Sequence, residues 1–307
     1  MTTAFPALSP EQARARRLFR ERRNRIIRHV ILLAWTGFIA FPIFWMVSTS
    51  FKDTDEWVTW PPHWLPQAPT LHNYAQIFAF AKIDPSLSRQ ATEQAFTIWK
   101  ALADAILMCT TAALLALLLG TFLAYSISRF NVGGKYFRHT ILTIRMIPPI
   151  VVAIPLTLYY STLHLLDTVV GLVIVYTITT LPYAVWITKS FVDEVPREME
   201  QAAEILGASR WRTVWEVIFP LVRSGVLATF LFILILTWSE YLMALILSKT
   251  DVVTLPIQLS KFEGTTEGRV YGRQAALAVG ITFPLIIVGC LIRKHLVRGF
   301  SFGMVKR

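Results

Sequence analysis

The 307 residues are 54% hydrophobic and 16% charged, with a mean hydropathy of +0.52; this is too apolar and too poor in charge for an ordinary soluble domain. The formal net charge of +11 raises nucleic acid as a partner, but no basic patch interleaved with stacking aromatics supports it. A spanning helix needs about 20 mostly apolar residues, and six stretches qualify, near 30–49, 105–126, 146–163, 169–188, 225–248 and 275–292. The predicted class is therefore all-α: a polytopic membrane protein with six transmembrane helices.

The first stretch follows eight arginines, Arg14 to Arg28. Its apolar run is longer than a signal-peptide core and lacks a small-residue cleavage pattern, so it is expected to remain as the first span. Lysine and arginine also set orientation, because cytoplasmic loops retain them during insertion. Of the 30 such residues, 21 fall in the N-terminal segment, the loops after the second and fourth stretches, and the tail, against 8 on the opposite side. Both termini are predicted to be cytoplasmic. The domain reading is a basic cytoplasmic segment 1–29, a membrane domain 30–297 and a cytoplasmic tail 298–307.

Between the first two stretches lies an external segment, 50–104, whose cluster Pro61-Pro62-His63-Trp64-Leu65-Pro66 cannot continue a helix and suits the membrane interface. It is predicted to be a structured cap. Cys109 and Cys290 lie inside stretches without metal or disulfide partners and read as packing residues. Pro42, Pro148, Pro149, Pro155, Pro182 and Pro284 fall in or beside the apolar stretches. Bent helices around a wet cavity suit a transport path, although proline is common in membrane helices generally.

The fourth stretch carries Tyr176, Thr180 and Tyr183, and the fifth carries Thr229, Thr237, Ser239, Glu240 and Tyr241. Tyr176, Thr180 and Tyr183, and likewise Thr229, Thr237, Glu240 and Tyr241, fall near one helix face. Glu240 is the sole charged residue inside the six stretches; a carboxylate at that depth lines a pathway, bonds between helices, or sits near the outer interface. Tyr159, Tyr160, Tyr183 and Tyr241 could stack on sugar rings or serve helix packing.

The loop 189–223 reads as two short helices with defined ends. Pro196 suits a first helical position, and Glu198 and Glu200 sit in the first turn, where acidic groups complement the helix dipole. Gly207 supplies a stop and bend, Ser209 a cap, and Pro220 the close of the second helix. Two readings follow: a docking element, or a linker on the membrane surface with Trp211 and Trp215 as anchors and Arg210 and Arg212 on lipid headgroups.

Within this loop Gln201-Ala202-Ala203, Gly207, Val217 and Phe219-Pro220 resemble, at full spacing, the cytoplasmic loop signature of permeases from binding-protein-dependent ABC importers. Flanking segments resemble the maltose-type carbohydrate branch of the MetI-like superfamily: Phe41-Pro42, Thr49-Ser50-Phe51-Lys52, Arg145-Met146-Ile147-Pro148-Pro149, Leu181-Pro182-Tyr183, Trp238-Ser239-Glu240-Tyr241 and the tail Gly303-Met304-Val305-Lys306. The resemblance implies a bacterial cytoplasmic (inner) membrane location and a coupling helix between spans four and five. It assigns ATPase coupling to Gln201, Ala202, Ala203, Glu204, Gly207 and Pro220. The implied partners are a second, homologous permease, two ATP-binding-cassette ATPase subunits, an extracytoplasmic solute-binding protein and a sugar-type substrate. Gln201 stands where the family has Glu; Glu200 and Glu204 are the neighbouring carboxylates.

The chain itself lacks the glycine-rich phosphate loop that ATP hydrolysis needs, since its one Gly-Lys pair, Gly134-Lys135, is followed by Tyr136. ATP and Mg are therefore expected on the partner ATPase, with no cofactor or catalytic group in this chain. An ion-coupled secondary transporter is the competing expectation. Such proteins commonly show internal repeats and mid-membrane ion ligands, and no clear repeat relates the two halves here.

Overall fold

The computed structural model describes residues 10–78, 89–143, 146–263 and 270–302. Arg145 and the tail 303–306, both part of the resemblance, lie outside them. All regular structure among the described residues is helical. Helix α1 (Pro10–Ser50) runs straight through the expected boundary at residue 30, followed by α2 (His72–Phe78), α3 (Arg89–Phe130), α4 (Gly134–Thr143), α5 (Pro149–Thr162) and α6 (Val169–Asp193). The second half holds α7 (Arg197–Ile205), α8 (Arg210–Thr213), a π turn at Val214–Ile218, α9 (Phe219–Trp238), α10 (Leu242–Leu247), α11 (Leu255–Ser260) and α12 (Tyr271–Phe302).

Among the described residues, five helices are long and apolar enough to cross a membrane: α1, α3, α6, the α8–α9 run and α12. Their outward faces are bare hydrocarbon, as at Leu33, Phe38 and Leu291, which a lipid environment accommodates and water does not. The third predicted stretch forms the 14-residue α5. At 1.5 Å per residue it is about 21 Å long, short of the roughly 30 Å hydrocarbon layer.

The core is a seam between α3 and α6, the most extensive helix pair. Ala101, Ala105, Ala112, Ala116, Gly120 and Ala124 recur at spacings of four or seven along α3, and the alanines among them are 0–4% exposed. Small residues at that period let two backbones approach closely, the usual basis of helix association in lipid. A Cβ on Gly120 would stand 2.4 Å from Ala184 Cβ and 3.1 Å from the α6 backbone. Leu172, Val175, Tyr176, Ile233 and Leu234 complete the core with α9. Cys109 is buried in it, whereas Cys290 is exposed and so is not a packing residue within this chain.

Two polar clasps close the end opposite the α6–α7 junction. Asp167, at φ 58°, accepts the backbone N–H groups of Lys249, Thr250, Asp251 and Val252 at 2.8–3.0 Å. Burial alone would raise its pKa, but these four donors outweigh it and hold the carboxyl well below its usual range. The second clasp lies within the 50–104 segment. Lys52, 1% exposed, donates to His63 O at 2.5 Å and lies 4.0 Å above the Trp45 ring. Burial lowers its pKa while Glu56 pulls it back up. Asn73 Nδ2 donates to Ser50 O and Lys52 O, so the proline-rich segment is strapped onto the end of α1.

Candidate functional site

The connection from α6 to α9 is an elbow whose ends are set by local chemistry. Pro196, extended at φ −59° and ψ 137°, is the N-cap, one residue earlier than its expected place; α7 then begins at Arg197. At its C-terminus Gly207 adopts φ +84°. Gly207 N donates to Glu204 O at 2.9 Å and Ala208 N to Ala203 O at 3.0 Å, the paired bonds of a Schellman stop. A Cβ at Gly207 would meet nothing within 4 Å, so the glycine is required by backbone conformation alone. Ser209 Oγ then accepts from Arg212 N at 3.3 Å and starts the next helix.

That helix does not close at Pro220. It continues through the π turn into α9, with Phe219 N bonded to Val214 O. Proline removes one backbone donor and collides with the carbonyl four residues back. Here the bonding is lengthened by one residue just ahead of Pro220, which relieves the collision, and the helical path survives.

The inner face of the elbow is fixed to the end of α3. Glu200 pairs with Arg129 and accepts from Tyr125 OH at 3.0 Å. Arg129 also donates to Val195 O at 2.8 Å. Arg197 reaches Ser128 O at 3.3 Å, and Asp193 accepts from Ser128 Oγ at 2.5 Å while pairing with Lys189. Arg129, Tyr125 and Ser128 were not singled out from the sequence. They lie about 70 positions away, and the one available signal was an arginine at the end of an apolar run.

With Glu200 engaged inward, Glu204 is the carboxylate next to Gln201 that remains exposed. Gln201, Ala202 and Gly207 are exposed beside it, and Ala203 is half-buried. Ile205 and Leu206 stand 85% and 87% exposed at the tip. Pro220 is exposed but belongs to α9, away from this tip. The tip of α7 is thus apolar and left uncovered by the described residues of this chain.

The second set of candidates divides by location. Tyr176, Thr180 and Thr237 are 1%, 5% and 3% exposed, inside the seam of this chain. Thr180 and Thr237 donate to carbonyls of their own helices, and Tyr176 OH is buried with no hydrogen-bond partner among the described residues. Tyr183 is half-buried, its ring 5.5 Å from Phe232. The fifth stretch breaks after Trp238: Ser239 is the C-cap of α9, and Glu240 Oε1 accepts from Met243 N at 3.1 Å at the start of α10. Glu240 and Tyr241 therefore do not continue the α9 face that carries Thr229 and Thr237. Ser239 and Tyr241 are exposed and Glu240 partly so.

Comparisons with known proteins agree with this architecture. Residues 116–302 match the family model described as binding-protein-dependent transport system inner membrane component. The chain is 30% identical over 268 residues to the inner membrane ABC transporter permease protein YcjP of Escherichia coli, covering 87% of this chain and 91% of that protein. It is 27% identical over 291 residues to the trehalose/maltose transport system permease protein MalG of Thermococcus litoralis, covering 92% and 99%. A chain from the crystal structure of a bacterial ABC transporter involved in the import of the acidic polysaccharide alginate shares the fold, with a TM-score of 0.69 at 19% identity over 95% of this chain and 100% of that one. The protein is thus a multi-pass membrane protein and belongs to the family of inner membrane components of binding-protein-dependent transport systems.

Proposed function

We propose that this chain is the permease subunit of an ATP-driven importer, forming half of the pathway for a carbohydrate or sugar derivative, with both termini cytoplasmic. The carrying observation is the elbow: α7 is tied to α3 by Arg129 and Glu200 and presents Ile205 and Leu206 uncovered at its tip. In this reading an ATPase subunit receives that tip together with Gln201, Ala202, Ala203 and Glu204. A second permease completes the pathway, ATP and Mg belong to the ATPase pair, and a solute-binding protein delivers the substrate from outside. The sugar class draws on relatives named for trehalose and maltose and for diacetylchitobiose. Six crossings follow if α5, too short alone, completes its passage with the residues flanking it. Tyr183, Ser239, Glu240 and Tyr241 are the pathway contacts proposed at the α9–α10 break, with Tyr176, Thr180 and Thr237 behind them.

The test is uptake by proteoliposomes holding the permease pair, the ATPase and the binding protein. Ala203→Glu places a charge against the docking face and is expected to abolish ATP-dependent uptake while membrane insertion stays normal. Wild-type uptake by Ala203→Glu would refute the docking role. Gradient-driven uptake by this chain alone would instead identify a secondary transporter.

A further inference from the structure

The segment 57–66, between α1 and α2, folds back along α1 instead of rising away from it. Phe41, Trp45 and Ser48 share one face of α1. The Trp64 ring packs on the rings of Phe41 and Trp45, with centroids 5.6 and 6.1 Å apart, and Trp64 O accepts from Ser48 Oγ at 2.7 Å. Helix α1 ends at Ser50, well beyond both rings. At 1.5 Å per residue, Trp64 lies about 7 to 13 Å below that end, beside the apolar run of the span. Trp57 fixes the other side of the loop. Its Nε1 donates to Lys52 O at 3.2 Å, and a Cβ on Gly272 of α12 would stand 2.5 Å from that nitrogen.

The outer surface of this loop suits lipid. Residues 57–66 contain no Asp, Glu, Lys or Arg, and Glu56, just before them, is engaged by the backbone N–H of Gln67 at 3.0 Å. Trp60 and Leu65 stand 92% and 65% exposed, and through Trp64 they continue the exposed hydrocarbon of Phe41 and Phe44. Irregular backbone is costly in a bilayer because its polar groups need partners. Here Pro61, Pro62 and Pro66 bring no N–H at all, and the carbonyls of His63 and Trp64 accept from Lys52 and Ser48. Two other occupants fit this face less well. A soluble protein arriving from the aqueous side meets the end of α1, not a surface set below it. A helix of another membrane chain packs closely through small residues, whereas this face is tryptophan, leucine and phenylalanine.

We infer that residues 58–65 are a re-entrant wedge, immersed in the leaflet at the C-terminal end of α1, where Trp60, Trp64 and Leu65 lie against phospholipid at the boundary of headgroups and acyl chains. The segment expected to be external is thus held partly below the membrane surface. This placement requires only that α1 spans the bilayer and is independent of the transport reading. The full-length protein is reconstituted in phosphatidylcholine vesicles with single nitroxide labels on cysteines replacing Phe44, Asp53, Trp60 or Leu65. Cys290→Ser removes the exposed native thiol, and Cys109 is buried. Power saturation then compares collisions with oxygen, which partitions into lipid, and with a water-soluble nickel chelate. The oxygen-to-nickel ratio at Trp60 and Leu65 is expected to exceed that at Asp53 severalfold, and at Leu65 to match Phe44 on α1. Nickel reaching Trp60 and Leu65 as freely as Asp53 would overturn the immersion, and so would exclusion of both reagents from both positions, the sign of a protein cover. In native membranes, benzoylphenylalanine replacing Trp60 is expected to crosslink to phospholipid; crosslinking to another protein chain, or none at all, would also overturn it.

Discussion

Arg129 and Glu200 meet with side-chain exposures of 7% and 12%, so removing one leaves the other charge stranded. Losing one partner of such a buried pair costs about 3–5 kcal/mol. Arg129→Ala is therefore expected to free α7, and limited proteolysis should cut near residue 207 far faster than in the wild type. At Gly207 the left-handed backbone makes alanine about 1–2 kcal/mol unfavourable, and proline cannot adopt it at all. Gly207→Asn should retain most ATP-driven uptake and Gly207→Pro should lose it. Asp167 has a pKa lowered by folding, so its clasp contributes fully above the unfolded value of about 3.9 and weakens as pH falls below it. Asp167→Ala should cost about 1–2 kcal/mol, and hydrogen exchange at the amides of 249–252 should quicken at neutral pH. The stop at Gly207 and the cap at Ser209 were legible in the sequence, because capping is decided within a few residues. The Glu200 and Asp167 partnerships were not, since each joins segments about 70 to 85 positions apart.

At the scale of elements, the α3–α6 seam depends on absent side chains. Gly120→Val puts atoms against both Ala184 and the α6 backbone, where no rotamer change gives relief, and overpacking of this kind costs about 1–3 kcal/mol. A lowered thermal midpoint in detergent is expected, whereas Gly37→Ala, with nothing within 4 Å, should leave the midpoint within error. Unbroken apolar runs of about 20 residues made the long helices readable ahead of any coordinates. The continuation through Pro220 was not readable, because a π turn compensates the proline and has no compositional mark. The break at 239–241 also escaped, since Trp-Ser-Glu-Tyr has neither glycine nor proline and Glu240 supplies the cap of the following turn.

Across the whole molecule, charge asymmetry and the spacing of the 201–220 motif carried most of the functional reading, and family membership agrees with it. The orientation proposed above predicts that cysteines at Gln201 and Glu204 react with an impermeant thiol reagent only from the cytoplasmic side, and cysteines at Asp53 and Thr250 only from outside, in intact cells against inverted vesicles. The elbow has contrasting surroundings on its two flanks. Toward α3 it is joined by ion pairs and hydrogen bonds, while toward α9 a cavity of about 210 Å³ lies between Val195, Met199 and Val222. Under the docking role proposed above, a load applied at Ile205 and Leu206 would pass through Arg129 and Glu200 into α3, and the cavity toward α9 would leave room for a small rotation. Rearrangement during a cycle should then concentrate where α9 and α10 border α5, with spin labels on α3 and α6 keeping a constant separation throughout.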